Sequence, residues 1–142
     1  VILVLRKSLL VIKLWIANMK NNKIKSYQFG LAAEFVAIMF LRLKGYKILA
    51  RRYKTFVGEV DIIAKKGNCL IAVEVKARKN IVIQNGFLID EVVGKNQRER
   101  IKRAIISFVK AHYKKYSHHN IRFDLIVISP YKMPFHLPRF WE

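Results

Sequence analysis

Gly58-Glu59-Val60-Asp61-Ile62-Ile63-Ala64-Lys65-Lys66-Gly67-Asn68-Cys69-Leu70-Ile71-Ala72-Val73-Glu74-Val75-Lys76 is the stretch whose reading decides the fold. Two runs rich in Ile, Val and Ala flank Lys65-Lys66-Gly67-Asn68, where Gly and Asn tolerate positive φ. The pattern predicts a β-hairpin with strands over 57–64 and 69–77. Side chains alternate faces along a strand, so Glu59 and Asp61 share one face, and Glu74 and Lys76 share one face of the next strand. If Gly67-Asn68 is the loop, Asp61 lies directly opposite Glu74. If Lys66-Gly67 forms the turn, the two are diagonal neighbours, and an odd-length loop would separate them.

Two carboxylates across a strand pair repel each other unless a cation lies between them. Hard oxygen ligands select Mg²⁺ or Mn²⁺ over zinc. Asp61 and Glu74 are therefore the expected metal ligands. Such an ion activates water and neutralises charge on a phosphoryl oxygen. Lys76 is spaced to hold the attacking water or to stabilise the developing charge. Leu70, Ile71, Val73 and Val75 mark a buried strand, which makes charge at 74 and 76 conspicuous. Alternation alone gives equal weight to a plain Glu–Lys pair at the solvated end of an edge strand.

Working outward, Ser26 is a candidate cap for a helix carrying Phe29, Ala33, Val36 and Phe40, with Ala32 and Leu43 beside them; Gly45 ends it. A first strand is expected over 46–53, with Ile48 and Ala50 on one face. A loop is expected over 78–90. A long helix should start at Gly94 or Asn96 and run to about Tyr116, burying Ile101, Ala104, Ile105, Phe108 and Ala111 or His112. A fourth strand over 121–129 is closed by Pro130. The order helix, three strands, helix, strand suits an α/β domain of two or three layers with a mixed sheet.

The 142 residues fit one domain. There are 28 Lys and Arg against 9 Asp and Glu, a net charge of +19 that goes beyond solubility needs and points to a polyanion. Nucleic acid is the first choice and an anionic membrane surface the second. The cations form two clusters, one at Arg42, Lys44, Lys47, Arg51, Arg52 and Lys54, the other over 98–115 with Arg98, Lys102 and Arg103. Arg51, Arg52, Lys95, Arg98 and Lys102 are the expected phosphate contacts, which give affinity and salt dependence without reading sequence. The single cysteine, Cys69, excludes an internal disulfide and a cysteine-based zinc site. His118 and His119 point apart in an extended chain and are read as loop residues.

Residues 1–25 are expected to be an N-terminal extension, with Met19 as a natural start and 26–142 as the domain. Arg6, Lys7 and Lys13 interrupt the apolar run over 1–19, so no spanning segment is expected. A surface anchor built from residues 1–16 is the alternative. Residues 1–18 carry only these three of the cations and no acid, so the positive excess holds without them.

The spacing Asp61-x12-Glu74-x-Lys76 matches the PD-(D/E)xK nucleases, with Val60-Asp61 in place of Pro-Asp. The similarity extends over 27–141, through Gly30-Leu-Ala-Ala-Glu34, Gly45-Tyr46-Lys-Ile-Leu49, Gly58-Glu-Val-Asp61-Ile-Ile-Ala64, Val73-Glu74-Val-Lys76-Ala-Arg78, Lys95-Asn-Gln97, Arg122-Phe-Asp124 and Phe135-His136-Leu137. Together these resemble the YraN-like bacterial family. The resemblance implies a restriction-endonuclease-like fold, an α/β mixed sheet flanked by helices, similar to archaeal Holliday-junction resolvases. Departures are Pro138-Arg139-Phe140 in the tail and the long N-terminal extension. By position, Glu34 is similar to a helix glutamate that points to the metal site; a solvent-facing residue is the alternative. Lys95 or Gln97 resembles an auxiliary site residue, and Glu59 is either a base or a partner for a lysine. Asp124 is read as structural, paired with Arg122 or Arg78. The implied activity is metal-dependent cleavage of DNA rather than RNA, branched DNA included, in the cytoplasm, with room for a homodimer. A nucleic-acid-binding protein that kept the fold without cleaving is the alternative.

Overall fold

The computed structural model describes residues 26–78, 93–129 and 132–141, together with Leu10. The expectations for residues 1–25, Leu10 apart, and for residues 79–90 of the loop expected over 78–90 lie outside the described residues. The elements are α1 (Ser26–Leu43), β1 (Lys47–Thr55), β2 (Gly58–Lys66), β3 (Cys69–Ala77), α2 (Lys95–Ala111), α3 (Tyr113–Tyr116), β4 (Asn120–Ile128) and β5 (Phe135–Trp141). The strands form one sheet in the order β1-β2-β3-β4-β5. All neighbours are antiparallel except β3 and β4, which run parallel. The β3–α2–β4 crossover supplies that parallel pair.

Helix α1 ends where sequence places its end. Gly45 takes φ +84, Gly45 N–H donates to the Arg42 carbonyl and Tyr46 N–H to the Leu41 carbonyl, the Schellman arrangement. Its buried face is Ala33, Val36, Ala37, Ile38 and Leu41, while Phe29 and Phe40 are only partly covered. The expected stripe was thus rotated from the true one. It omitted Ala37, Ile38 and Leu41 because a helix this apolar reads as buried on several sides.

Helices cover both faces of the sheet, which makes three layers. Ile62, Ala64, Ile71, Val73, Ile126 and Ile128 pack with α1, whereas Ile63, Leu70, Ala72, Leu125 and Val127 pack with Ile101, Ala104, Ile105 and Phe108 of α2. This mixed sheet between helices is the α/β restriction-endonuclease-like fold.

Three expectations need correction. Ile48 packs with the α1 layer but Ala50 with the α2 layer, because the β1–β2 register shifts between them. A bulge of this kind turns later side chains over. The long helix stops at Ala111; His112 (φ −121°) interrupts it, and both Ala111 and His112 are exposed. The tail is a fifth strand that the sequence reading missed. Pro138 within it disguised the strand, and β5 tolerates that proline because it lies at the sheet edge.

Candidate metal centre

The hairpin turn has two residues. Lys66 pairs with Cys69, and the ladder continues to Ile62 and Val73. Gly67 adopts φ +57, which a glycine accepts without strain. The even turn preserves pairing parity, so extending the ladder by one step sets Asp61 against Glu74. Along β3 the row that buries Leu70 and Ala72 against α2 continues into Glu74 and Lys76. That row forces a glutamate into the interior, where it is only 5% exposed.

Past Ile62 and Val73 the backbone pairing gives way to a side chain. The Val75 N–H donates to Asp61 Oδ2 at 2.9 Å. Val60 packs in the same layer as Ile63, three residues away, so strict alternation slips around Asp61. Gly58 allows this close approach. A Cβ at residue 58 would run into the Arg100 carbonyl of α2.

Lys76 Nζ lies 2.8 Å from Glu74 Oε1 and donates to Gln97 Oε1 at 3.2 Å. Gln97 Nε2 in turn donates to Glu74 Oε1. Glu59, Asp61, Glu74, Asn96, Gln97 and Arg100 line a cavity of about 330 Å³. Its rim is held by Glu59, which lies 3.9 Å from Lys54 and 3.8 Å from Arg100. Glu59 is therefore a partner for cations at the mouth of the cavity.

Burial pushes the Asp61 carboxyl up against the hydrogen bond from Val75 N–H and the charge of Lys76. Burial, then the neighbouring Asp61 charge, pushes Glu74 up to about 7 despite Lys76. Both carboxyls are thus held toward their protonated forms. The donor set fits a small divalent cation, which often takes one or two carboxylates and completes its shell with water and phosphate. Among the described residues no group of three or more His, Cys, Asp and Glu is placed to hold an ion.

Glu34 approaches from α1. Burial, then repulsion by Asp61, raises its carboxyl, while Arg52 opposes the shift from 3.3 Å. Arg52 has φ +47, an uncommon backbone for a residue with a side chain. The remaining expected contacts are spread more widely. Arg51, Lys95 and Lys102 are exposed. Arg98 is half-buried, with Nε donating to the Val93 carbonyl at 2.8 Å and its guanidinium 6.0 Å from the Phe140 ring centre. Of Lys95 and Gln97, Gln97 is the one that reaches the carboxylates. Arg100 is a further lining residue that the sequence reading counted only as part of a basic face. Helical spacing on α2 groups Asn96, Gln97 and Arg100, but nothing in the sequence sets that face toward β2 and β3.

A second acid has another character. Asp124 is fully buried and accepts from Arg122 Nε (2.8 Å), Arg122 Nη2 (2.7 Å) and Arg139 N–H (3.1 Å), with His136 Nε2 at 2.7 Å. Arg122 also donates to the Tyr46 hydroxyl at 2.8 Å. Burial pushes Asp124 up, but the hydrogen bonds from His136, Arg122 and Arg139 outweigh it and hold the carboxyl below its ordinary value. The expected structural pairing with Arg122 is what the geometry has.

The fold and the Asp61…Glu74-x-Lys76 arrangement define the class, the PD-(D/E)xK-like group of the nuclease superfamily. Within it the chain belongs to the family described as "Uncharacterised protein family UPF0102", which matches residues 33–128. It is similar to a UPF0102 protein of Bartonella bacilliformis, 41% identical over 124 residues that cover 87% of this chain and 96% of the relative. A UPF0102 protein of Parvibaculum lavamentivorans is 38% identical, covering 82% and 84% of the two chains. One from Agrobacterium fabrum is 37% identical, covering 82% and 90%. Among the described residues no helix is long and apolar enough to cross a membrane.

Proposed function

We propose that the chain is a Mg²⁺- or Mn²⁺-dependent phosphodiester hydrolase acting on DNA, branched DNA included. The observation that carries this reading is the pairing of half-buried Asp61 with buried Glu74, short of compensating charge, with the Lys76 ammonium 2.8 Å from Glu74. An ion bound there supplies charge neutralisation at the scissile phosphate and an acidified water. Asp61 and Glu74 would hold it as carboxylates, and binding would displace the proton that burial favours on Glu74. Lys76 keeps positive charge next to the place where phosphoryl charge develops. Gln97 touches both Glu74 and Lys76 and fixes their orientation. Glu34, balanced by Arg52, supports Asp61 from the α1 side. Arg51, Arg52, Lys95, Arg98 and Lys102 supply phosphate contacts, in keeping with a net charge of +19. A cytoplasmic location and a homodimer belong to the same reading.

The test is cleavage of linear duplex, single-stranded and four-way-junction DNA with Mg²⁺ or Mn²⁺, by wild type and Glu74→Ala. The expected result is metal-dependent cleavage that Glu74→Ala loses while it keeps or tightens DNA binding. Tight, salt-sensitive binding without cleavage of any of these substrates by the wild type would instead make this a binding protein of the same fold.

A further inference from the structure

The β1–β2 turn carries an oddity next to the cavity. Thr55 pairs with Gly58, leaving Phe56 and Val57 as the two turn residues. Two-residue hairpin turns favour Gly, Asn and Asp, because the usual backbone needs positive φ. Neither Phe56 nor Val57 has positive φ. Thr55 holds the turn instead. Its Oγ1 accepts from Val57 N–H at 3.3 Å and Gly58 N–H at 3.1 Å. Turn chemistry therefore does not call for apolar residues at the tip, yet Phe56 is 103% exposed and Val57 is 43% exposed.

A single exposed hydrophobe is ordinary on a protein surface. This one differs in its placement. It caps an edge strand carrying Arg51, Arg52 and Lys54, and the next residues, Gly58 and Glu59, reach α2 and the cavity lining. Gly58 lies so close to the Arg100 backbone that the base of the tip is fixed against the helix. Asp61 is five positions beyond Phe56, at most about 17 Å along the backbone at strand spacing. Stacked nucleotides rise about 3.4 Å per step, so the backbone at Phe56 lies within about five steps of Asp61. Cations along a strand with an aromatic ring at its end are the parts of a surface for unpaired nucleic acid: charge tracks the backbone and the ring stacks on a base.

We infer that Phe56 is a stacking residue for an unpaired base, so that the site takes single-stranded or branched DNA in preference to continuous duplex. This deepens the nuclease reading and rests on it. A closed duplex offers no base face to the ring, whereas a junction or single strand does.

The experiment measures binding of fluorescent single-stranded, four-way-junction and duplex DNA in EDTA, so that cleavage plays no part. Wild type, Phe56→Ala and Phe56→Trp are compared after their melting temperatures are shown to agree. Loss of one stacked base weakens binding by roughly 5- to 150-fold. Phe56→Ala is expected to lose affinity in that range for single-stranded and junction DNA, with at least fivefold less loss on duplex. Phe56→Trp is expected to restore binding, and its added emission to be quenched by single-stranded DNA. Equal losses on all three substrates, or none, would overturn the inference. If metal-dependent cleavage of duplex persists in that case, the nuclease reading stands without it. Absence of DNA binding by the wild type would sink both.

Discussion

Two acidic sites lie in the same sheet and differ in how far positive donors balance them. Asp124 sits among donors: two guanidinium nitrogens, an imidazole and a backbone N–H surround one carboxylate. The site at Asp61 and Glu74 has one half-buried and one buried carboxyl, with the Lys76 ammonium beside Glu74. The first carboxyl is held below its ordinary value and the second pair is raised. A carboxylate that is fully satisfied is part of the scaffold, tying β4 to the C-terminal strand through His136 and Arg139. A pair left short of positive charge is where the proposed reading puts a cation.

Substitution with alanine should separate the clusters most widely. Asp124→Ala leaves Arg122 without its carboxylate, and removing one partner of a buried pair costs about 3–5 kcal/mol. Urea unfolding should show that loss. Glu74→Ala should keep the fold, seen by circular dichroism, and lower the cleavage rate by about a thousandfold or more, on the order of 4 kcal/mol in the barrier. Equal destabilisation by both substitutions would dissolve the distinction.

Next in size is the dependence on pH. A carboxyl raised on folding stabilises when protonated. Glu74 therefore contributes stability below its ordinary value of 4.5 that is lost as pH rises through about 7. Asp124, held low, behaves oppositely, contributing above its ordinary 3.8 and losing that contribution as pH falls further. In metal-free protein at pH 8, Glu74→Gln should be more stable than wild type by on the order of 3 kcal/mol, and the gain should vanish near pH 4.5. Mg²⁺ should narrow the gap at pH 8 by stabilising only the wild type.

Smaller effects test what surrounds each cluster. Gly58→Ala forces α2 away from β2 at Arg100 and should cost about 1–3 kcal/mol in thermal unfolding. It should also slow cleavage, since Gln97 rides on the same helix. Lys44 Nζ lies 2.9 Å from His136 Nδ1. An ammonium can only donate, so Nδ1 accepts and Nε2–H is given to Asp124. Lys44→Ala should cost no more than about 1 kcal/mol by urea unfolding and leave cleavage unchanged.

The juxtaposition of Asp61 and Glu74 was legible in sequence because pairing parity across a turn is simple. An even turn at Gly67-Asn68 brings Asp61 opposite Glu74, and a period of two along β3 puts Lys76 on the face of Glu74, although alternation slips around Asp61 itself. Helix neighbours obey no such local rule. Gln97 and Arg100 reach the cavity because Ile101, Ala104 and Ile105 set how α2 lies on the sheet, and that is decided by tertiary packing. The bulge near Ile48 escaped for the same reason: one extra residue turns a strand over without changing its composition. Pro138 concealed β5, because a proline reads as a strand breaker until the strand is known to be an edge. The Asp124 network draws on Tyr46, Arg122, His136 and Arg139, and only Arg122 is close enough in sequence to suggest the pairing.

The central claim is that Asp61 and Glu74 exchange a proton for a divalent ion. Calorimetric titration of Mn²⁺ into wild type, Asp61→Asn and Glu74→Gln, repeated in buffers of different ionisation enthalpy, tests it directly. The prediction is one site in the wild type, with about half a proton released at pH 7 and close to one at pH 6, and binding at least tenfold weaker in either variant. Mn²⁺ binding that is absent in the wild type, or unchanged by both substitutions, would contradict it.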